Sequence, residues 1–202
     1  MNTLGEYRYF DWAATAPPEG APLAFPWGNP SSRHGEGRKA REALEDARGR
    51  CAAALGVGAG EIFFTSGGTE SNALPLFSTL FRNRGDILFS AAEHPSVGEN
   101  CRVLERLGKT VAPIAVGEDG RVTGETLEAA LKKNPDARFA AIMAVNNETG
   151  AVTDLSLLTG RLRNRGEASG FTGAPVHVHC DMVQAVGKIP LDLRALDVDS
   201  AS

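Results

Sequence analysis

Small and hydroxyl-bearing residues follow the first apolar run of the chain, residues 61–64, and together they have the chemistry to bind a phosphate. The stretch is Thr65-Ser66-Gly67-Gly68-Thr69-Glu70-Ser71-Asn72, called the phosphate turn below. Glycines let a backbone approach a ligand, and the free N–H groups at the start of a helix favour negative charge. The pattern therefore predicts a phosphate site where a strand turns into a helix, with an ordinary strand-to-helix turn as the alternative.

Three further polar clusters follow apolar runs, at residues 93–94, 146–150 and 181–184. An imidazole such as that of His94 can stack on a planar ring or pass a proton, although a surface turn also suits it. The amides of Asn147 and Gln184 can bond a ligand oxygen, close a turn or face solvent. A carboxylate after an apolar run, as at Asp181, is costly to bury unless it is paired, and a protonated ring nitrogen is a suitable partner.

The spacing of apolar residues predicts strands that alternate with helices from residue 61 onward. We expect strands at 61–64, 86–90, 110–116, 137–145 and 176–180, and helices at 37–55, from the phosphate turn to about 83, 96–107, 123–133 and 155–165. Such alternation favours an α/β fold with a mostly parallel sheet and helices on both faces. Ligands bind at the carboxyl ends of the strands in such sheets, so the four polar clusters are expected to meet there.

Individual positions within these elements carry further expectations. Ser96 and Thr123 are candidate caps for the helices that follow them. Cys51 shares a predicted helical face with Ala40 and Leu44, so it is expected to be a small buried side chain. Val97, Cys101, Leu104 and Leu107 are expected to share one buried face of the helix at 96–107.

Composition narrows the class of protein. The chain has 202 residues, a net charge of −4 and 42% hydrophobic residues. This balance does not suggest a nucleic-acid partner or an anionic membrane surface, and no apolar run is long enough to span a bilayer. The three cysteines, at 51, 101 and 180, are widely spaced and form no CxxC pair. A reducing cytoplasm is the simplest expectation.

A phosphate site, a stacking histidine, a carboxylate for a ring nitrogen and amide donors together describe a pocket for pyridoxal 5′-phosphate. The sequence resembles the cysteine desulfurases, a class-V aminotransferase branch of the fold-type I enzymes that use this cofactor. The matching stretches cover nearly the whole chain, at residues 9–15, 28–34, 64–72, 93–94, 145–150 and 181–188. The resemblance implies an incomplete large domain of the fold-type I transferase fold at 23–202 and an N-terminal arm of the small domain at 1–22.

The resemblance also implies roles for individual residues. Gly68 and Thr69 would hold the cofactor phosphate, and His94 would stack on the ring and act as the catalytic residue of this chain. Asp181 would pair with the ring nitrogen, and Gln184 would bond the phenolic oxygen. Asn147 would contact cofactor or substrate. The family's reaction converts L-cysteine to L-alanine and leaves the sulfur on an enzyme cysteine as a persulfide for delivery to an acceptor protein, as in iron–sulfur cluster assembly.

Two expected features of the family do not match these 202 residues. The lysine that forms the Schiff base would follow a segment like 196–202, and the persulfide cysteine would come much later. We therefore expect a truncated chain that gives no turnover alone, either a homodimer or the partner of a complementary C-terminal chain. Residues 62–65 would lack a neighbouring strand and expose apolar side chains, with poor stability or self-association as the result.

Two other functions remain open from sequence. His177, His179 and Asp181 alternate along one strand and so share a face, which suits a metal-dependent hydrolase. Metal analysis of the purified chain would test that possibility. The other alternative is a non-catalytic fragment or scaffold of a split enzyme.

Overall fold

Five parallel strands form one sheet in the order β2-β1-β3-β4-β5. The computed structural model describes residues 29–33, 35–81, 85–164 and 175–202. The strands are β1 (Asp86–Ser90), β2 (Val111–Ile114), β3 (Ala137–Ala141), β4 (His177–Cys180) and β5 (Ser200–Ala201). The α-helices are α1 (Gly35–Leu55), α2 (Gly68–Ser78), α3 (Pro95–Arg106), α4 (Gly124–Lys133) and α5 (Leu155–Arg163), with short 3₁₀ helices at Ala59–Glu61 and Thr79–Phe81.

Two hydrophobic clusters cover the two faces of this sheet, because side chains alternate along each strand. On one face, Ile87 of β1 and Phe139 of β3 pack with residues of α2 and α3. On the other face, Leu88 and Ala140 pack with residues of α4 and α5. The predicted α/β class, with a parallel sheet and helices on both faces, is confirmed.

The chain divides into two units, residues 1–50 and 51–202. In the first unit, a turn precedes α1: the carbonyl of Asn29 accepts the N–H of Ser32 at 2.9 Å, and the Asn29 side chain accepts the N–H of Ser31 at 2.9 Å. The guanidinium of Arg41 donates to the carbonyl of Pro30 at 2.8 Å. The arm predicted at 1–22 lies outside the described residues, as does the Gly-rich loop at 166–173.

The strand predicted at 61–64 is wrong. Residues 59–61 form a 3₁₀ turn, in which the Glu61 carboxylate accepts the N–H of Gly58 at 2.6 Å, and 62–65 join no strand of the described sheet. Phe63 is 79% exposed and Phe64 is 50% exposed. An extended apolar segment forms a strand only when a neighbouring strand pairs with it, and residues 62–65 lie outside the described sheet.

Three side chains are placed differently from the sequence-based expectation. Cys51 is exposed on α1, because the predicted face of that helix is not buried along its full length. Leu107 is 57% exposed, because α3 ends at Arg106. His94, not Ser96, caps α3: its ring nitrogen accepts the N–H of Ser96 at 3.1 Å.

Within the described residues, no helix has both the length and the apolar character needed to cross a membrane.

The cap predicted at Thr123 is confirmed, and it supports a stability prediction. The Thr123 hydroxyl accepts the N–H of Thr126 at 3.2 Å, and the Thr126 hydroxyl accepts the N–H of Thr123 at 3.0 Å. Thr123→Ala is expected to lower the free energy of unfolding by about 1 kcal/mol, because an N–H at the start of α4 loses its acceptor. Thr123→Ser keeps the hydroxyl and should unfold close to wild type in urea. Equal losses in the two variants would contradict the capping role.

Candidate active site

Loops that follow β1, β3 and β4 meet at the carboxyl end of the sheet, called the rim below. The carbonyl of Asp181 accepts the N–H of Ala144 at 2.9 Å, which joins the ends of β3 and β4. The side chain of Asn146 donates to the carbonyl of Ala92 at 2.9 Å, which joins the ends of β3 and β1. The rim therefore gathers three of the four polar clusters that the sequence indicated.

The phosphate turn leads into the start of α2, and the side chain of Glu70 folds back onto Ser66 within this turn. The carboxylate of Glu70 accepts the N–H and the hydroxyl of Ser66, each at 2.6 Å. The hydroxyl and then the backbone hydrogen bond lower the pKa of Glu70 below its ordinary value. Gly67 takes a φ of 146°, and no side chain of the described residues caps the helix there. The first N–H groups of α2, at Gly68 and Thr69, have no acceptor within the helix and suit an anion.

Gly68 also brings the phosphate turn against the cluster at 181–184. A Cβ atom at this position would lie 2.7 Å from Cγ2 of Val183, closer than atoms in contact approach. The backbone of the turn can thus lie against the segment that follows β4 only because residue 68 has no side chain. Two stretches far apart in sequence form adjacent walls of one site.

Asp181 is buried and bonded by two donors. One carboxylate oxygen accepts the N–H of Val183 at 3.1 Å, and the other accepts the amide of Asn72 at 2.7 Å. A carboxylate has about four lone-pair sites, so these two contacts leave capacity for a further N–H donor. This capacity is the chemistry that a protonated ring nitrogen requires.

His94 is half-buried at the start of α3, and its ring is oriented by Ser96. Nδ1 of His94 lies 3.1 Å from the N–H of Ser96 and 2.8 Å from its hydroxyl oxygen. Because a backbone N–H can only donate, Nδ1 is an acceptor, and the ring hydrogen is at Nε2. Ser96 in turn accepts the amide of Asn72 at 3.0 Å, and Asn72 donates to Asp181, so His94 and Asp181 are joined through two buried residues.

The other two predicted contacts lie on the same rim but outside this network. Asn147 is half-buried in the turn that Asn146 holds. Gln184 is half-buried, and its side-chain oxygen accepts from the ammonium group of Lys188. The structure places both after the strands that the sequence indicated, and their roles remain predictions.

The three residues of the alternative metal site are not arranged as ligands. His179 is buried, with Nε2 at 3.0 Å from the Asn72 oxygen and Nδ1 at 3.0 Å from the Ser200 hydroxyl. Burial, then the neighbouring His177, lowers the pKa of His179 to about 4. His177 stacks on Phe139 with ring centroids 5.2 Å apart. Among the residues that the structure describes, no group of three or more His, Cys, Asp or Glu side chains could hold a metal ion.

Three rim residues, Asn72, Glu93 and Ser96, were not among the predicted site residues, although Ser96 was a candidate helix cap. One carboxylate oxygen of Glu93 accepts the N–H of Met143, and the other is buried with no hydrogen-bond partner in the described part of the chain. Burial, together with the charge of Asp181, raises the pKa of Glu93 to about 8 against the opposing effect of the Met143 N–H. The position of Glu93 shortly after β1 was the available signal; its hydrogen-bond donor, Met143, follows β3.

Comparison with known proteins gives a consistent result. A family profile described as "Aminotransferase class-V" matches residues 26–202. The chain is 39% identical over 192 residues to a "NifS/IcsS protein homolog" of Lactobacillus delbrueckii subsp. bulgaricus, covering 89% of this chain and 47% of that protein. It is 36% identical over 204 residues to "Cysteine desulfurase IscS" of Dictyoglomus turgidum, covering 96% of this chain and 49% of that protein.

A solved structure shows the same fold. The structure titled "SspA in complex with cysteine" matches 97% of this chain and 57% of its own, with a TM-score of 0.80 and 27% identity. The chain thus spans about half the length of the curated relatives it matches. The fold assignment, an incomplete domain of this type, agrees with the sheet and helices described above.

Proposed function

The chain belongs to the class-V aminotransferase family, and we propose that it forms the cofactor-binding part of a cysteine desulfurase that uses pyridoxal phosphate. Members of this family and its desulfurases use that cofactor. The observation that carries the proposal is the buried carboxylate of Asp181, which is bonded only by donors and lies beside the phosphate turn. A carboxylate and an anion-binding helix start in one site suit a ligand with a ring N–H and a phosphate.

We assign roles at the rim on this basis. Gly68 and Thr69 hold the phosphate with their N–H groups, and Asp181 holds the ring nitrogen. His94 stacks on the ring and presents Nε2–H, while Asn147 and Gln184 contact oxygen atoms of cofactor or substrate. When bound, the cofactor supplies an electron sink, and Asp181 preserves it by keeping the ring nitrogen protonated.

The proposed substrate is L-cysteine, on which the compared desulfurases act. In the net reaction, the C–S bond of L-cysteine breaks and an S–S bond forms at an enzyme cysteine. One thiol hydrogen ends on the methyl group of L-alanine, and the sulfur leaves as an enzyme persulfide. No external oxidant or reductant is needed.

The buried cysteines of this chain are poor candidates for the sulfur-accepting nucleophile, which must ionise to attack. Burial, then the charge of Glu93, raises the pKa of Cys101 to about 12. The same two causes, with Asp181, raise the pKa of Cys180 well above its ordinary value. We therefore assign neither cysteine to the persulfide, in agreement with the family resemblance, which implies a persulfide cysteine much later in the chain.

We further infer a reducing, cytoplasmic setting, supported by the free cysteines at 51, 101 and 180. The family resemblance supports two further proposals. The first is delivery of sulfur to an acceptor protein for iron–sulfur cluster assembly, and the second is assembly as a homodimer or with a complementary C-terminal chain. The same resemblance supports the division into an arm at 1–22 and a large domain at 23–202.

The test of this function is binding of pyridoxal phosphate to the 202-residue chain, measured by equilibrium dialysis. Wild type is expected to bind, and Asp181→Asn is expected to weaken binding about tenfold or more, because the amide oxygen can still accept the ring N–H but has no negative charge to pair with a protonated ring. Asp136→Asn changes an exposed carboxylate away from the rim and should bind like wild type. Absence of binding by wild type, or equal binding by all three proteins, would overturn the proposal.

A further inference from the structure

We propose that Asn72 is a positioning residue that fixes the carboxylate of Asp181 and, through Ser96, the imidazole of His94 before any cofactor binds. The inference rests on the proposed function for the roles of Asp181 and His94. Its structural part concerns side chains of this chain alone. The network of Asn72, Ser96, His94, Asp181 and His179 is called the Asn72 network below.

Asn72 joins four parts of the second unit from a fully buried position on α2. Its side-chain nitrogen donates to Asp181 at 2.7 Å and to the Ser96 hydroxyl at 3.0 Å. Its side-chain oxygen accepts from Nε2 of His179 on β4 at 3.0 Å. Asn72 is 1% exposed, so water cannot replace these partners. Both amide hydrogens are used, and each goes to a group at the site.

The amide can have only one orientation, and this fixes the hydrogens along one arm of the network. With the amide reversed, its oxygen would face the carboxylate of Asp181, which cannot donate when ionised. The oxygen therefore faces His179, whose Nε2 must carry a hydrogen. Nδ1 of His179 then accepts from the Ser200 hydroxyl at 3.0 Å, and that oxygen accepts from Nε2 of His177 at 2.9 Å.

The second arm leads to His94 by the same logic. The Ser96 oxygen accepts from Asn72, so its own hydrogen is free to point at Nδ1 of His94, 2.8 Å away. The N–H of Ser96 also points at Nδ1. Both contacts hold the ring with its hydrogen on Nε2. One asparagine thus sets the group assigned to the ring nitrogen and the group assigned to the ring face.

The Asn72 network leaves the negative charge of Asp181 available for a cationic ligand. Asp181 is its one carboxylate, and its two contacts, Asn72 and the N–H of Val183, are neutral donors. Neutral donors orient a carboxylate without neutralising it, so its charge remains for a cationic partner. Lysine or arginine at position 72 would instead neutralise that charge.

The closing experiment uses Asn72→Asp, which keeps the shape of the side chain and replaces its donor group by an acceptor. The new carboxylate would repel Asp181 and attract a proton to His179. The pKa of His179, followed by NMR titration of the cofactor-free chain, is expected to rise by at least one unit, a tenfold change in proton affinity. Asn100→Asp is the matched control, since the side chain of Asn100 donates to the backbone carbonyl of Ser96 at 2.6 Å and to no side chain of the Asn72 network. An unchanged His179 titration in Asn72→Asp would overturn the inference.

Two further measurements complete the test. With pyridoxal phosphate labelled with ¹⁵N in the ring, wild type and Asn100→Asp are expected to give the same ring N–H signal, whereas Asn72→Asp should shift that signal, because repulsion between the two carboxylates moves Asp181 from its position. Ser96→Ala removes only the second arm, so it should shift the His94 ring signals and leave those of His179 in place. If Asn72→Asp does not fold, Ser96→Ala still tests the network, and unchanged His94 ring signals in that variant would contradict it. Failure of wild type to bind the cofactor would contradict the proposed function alone, because the histidine measurements need no cofactor.

Discussion

Replacing Leu104 by alanine is expected to lower the free energy of unfolding by about 2–5 kcal/mol. Leu104 is 0% exposed on α3, where it packs in the same cluster as Ile87 of β1 and Phe139 of β3. Removal of its branched end takes apolar surface out of contact and leaves a cavity between the helix and the sheet, which cannot fully close. The loss should appear as a lower urea midpoint with an unchanged slope.

Leu107→Ala is the matched control for Leu104→Ala, because it makes the same chemical change three residues along the chain. Leu107 is 57% exposed and lies just after the last residue of α3. Its replacement should change stability by no more than about 0.5 kcal/mol, the usual range for surface substitutions. Similar losses at both positions would show that the helix packs differently from the arrangement described.

This pair of leucines shows what helical spacing can predict. Val97, Cys101 and Leu104 recur at intervals of a helical turn, and all three are buried as expected. Leu107 continues the same interval, but the helix ends before it. Periodicity identifies the face of an element, whereas its end depends on where the chain must turn to reach the next strand.

The error at residues 61–64 has a related cause. Phe63 and Phe64 have the composition of a strand, but a strand is defined by the backbone of its neighbour. No window of sequence shows whether that neighbour is available. Their exposure is as expected for an apolar segment that lies outside the described sheet, although the expected self-association remains a prediction.

Site residues could be predicted from sequence where their location depends on the end of a strand. They could not be predicted where their role depends on side-chain partners far away in the chain. Polar residues after β1, β3 and β4 were expected at one edge of the sheet, and they lie there. The partners of Asn72 are 24, 107 and 109 residues away in the chain, at Ser96, His179 and Asp181. Nothing in the local sequence distinguishes this asparagine from one that closes a turn.

The free energy of unfolding is expected to depend on pH because of the buried carboxyl group of Glu93. Its carboxyl group has a pKa of about 8 in the folded chain, against 4.5 ordinarily, chiefly because burial disfavours the charged form. Between these values the unfolded chain has released the proton and the folded chain has kept it. Stability therefore falls as pH rises, by about 1.4 kcal/mol per unit and about 5 kcal/mol over the whole interval.

His179 acts in the opposite direction over part of this range. Its pKa falls from 6.5 to about 4 on folding, mainly because the ring is buried. Its contribution is complete above pH 6.5 and is lost as pH falls toward 4, so stability rises with pH in that interval. The two slopes oppose each other between about pH 4.5 and 6.5. The free energy of unfolding of wild type should thus be nearly constant in that interval and fall by about 2 kcal/mol between pH 6.5 and 8.

Glu93→Gln isolates the carboxyl group, because glutamine resembles protonated glutamic acid and does not titrate. Any fixed cost of the new amide is independent of pH, so the test is the slope of the difference between the two proteins. Relative to wild type, Glu93→Gln should gain about 2 kcal/mol in unfolding free energy between pH 6.5 and 8, measured by urea unfolding at each pH.

Glu148→Gln, an exposed change on the same rim, should follow the wild-type profile. A Glu93→Gln profile parallel to wild type would mean that Glu93 is ionised in the folded chain. It would then place a second negative charge near Asp181, and the rim would offer a protonated ring nitrogen two carboxylate charges instead of one.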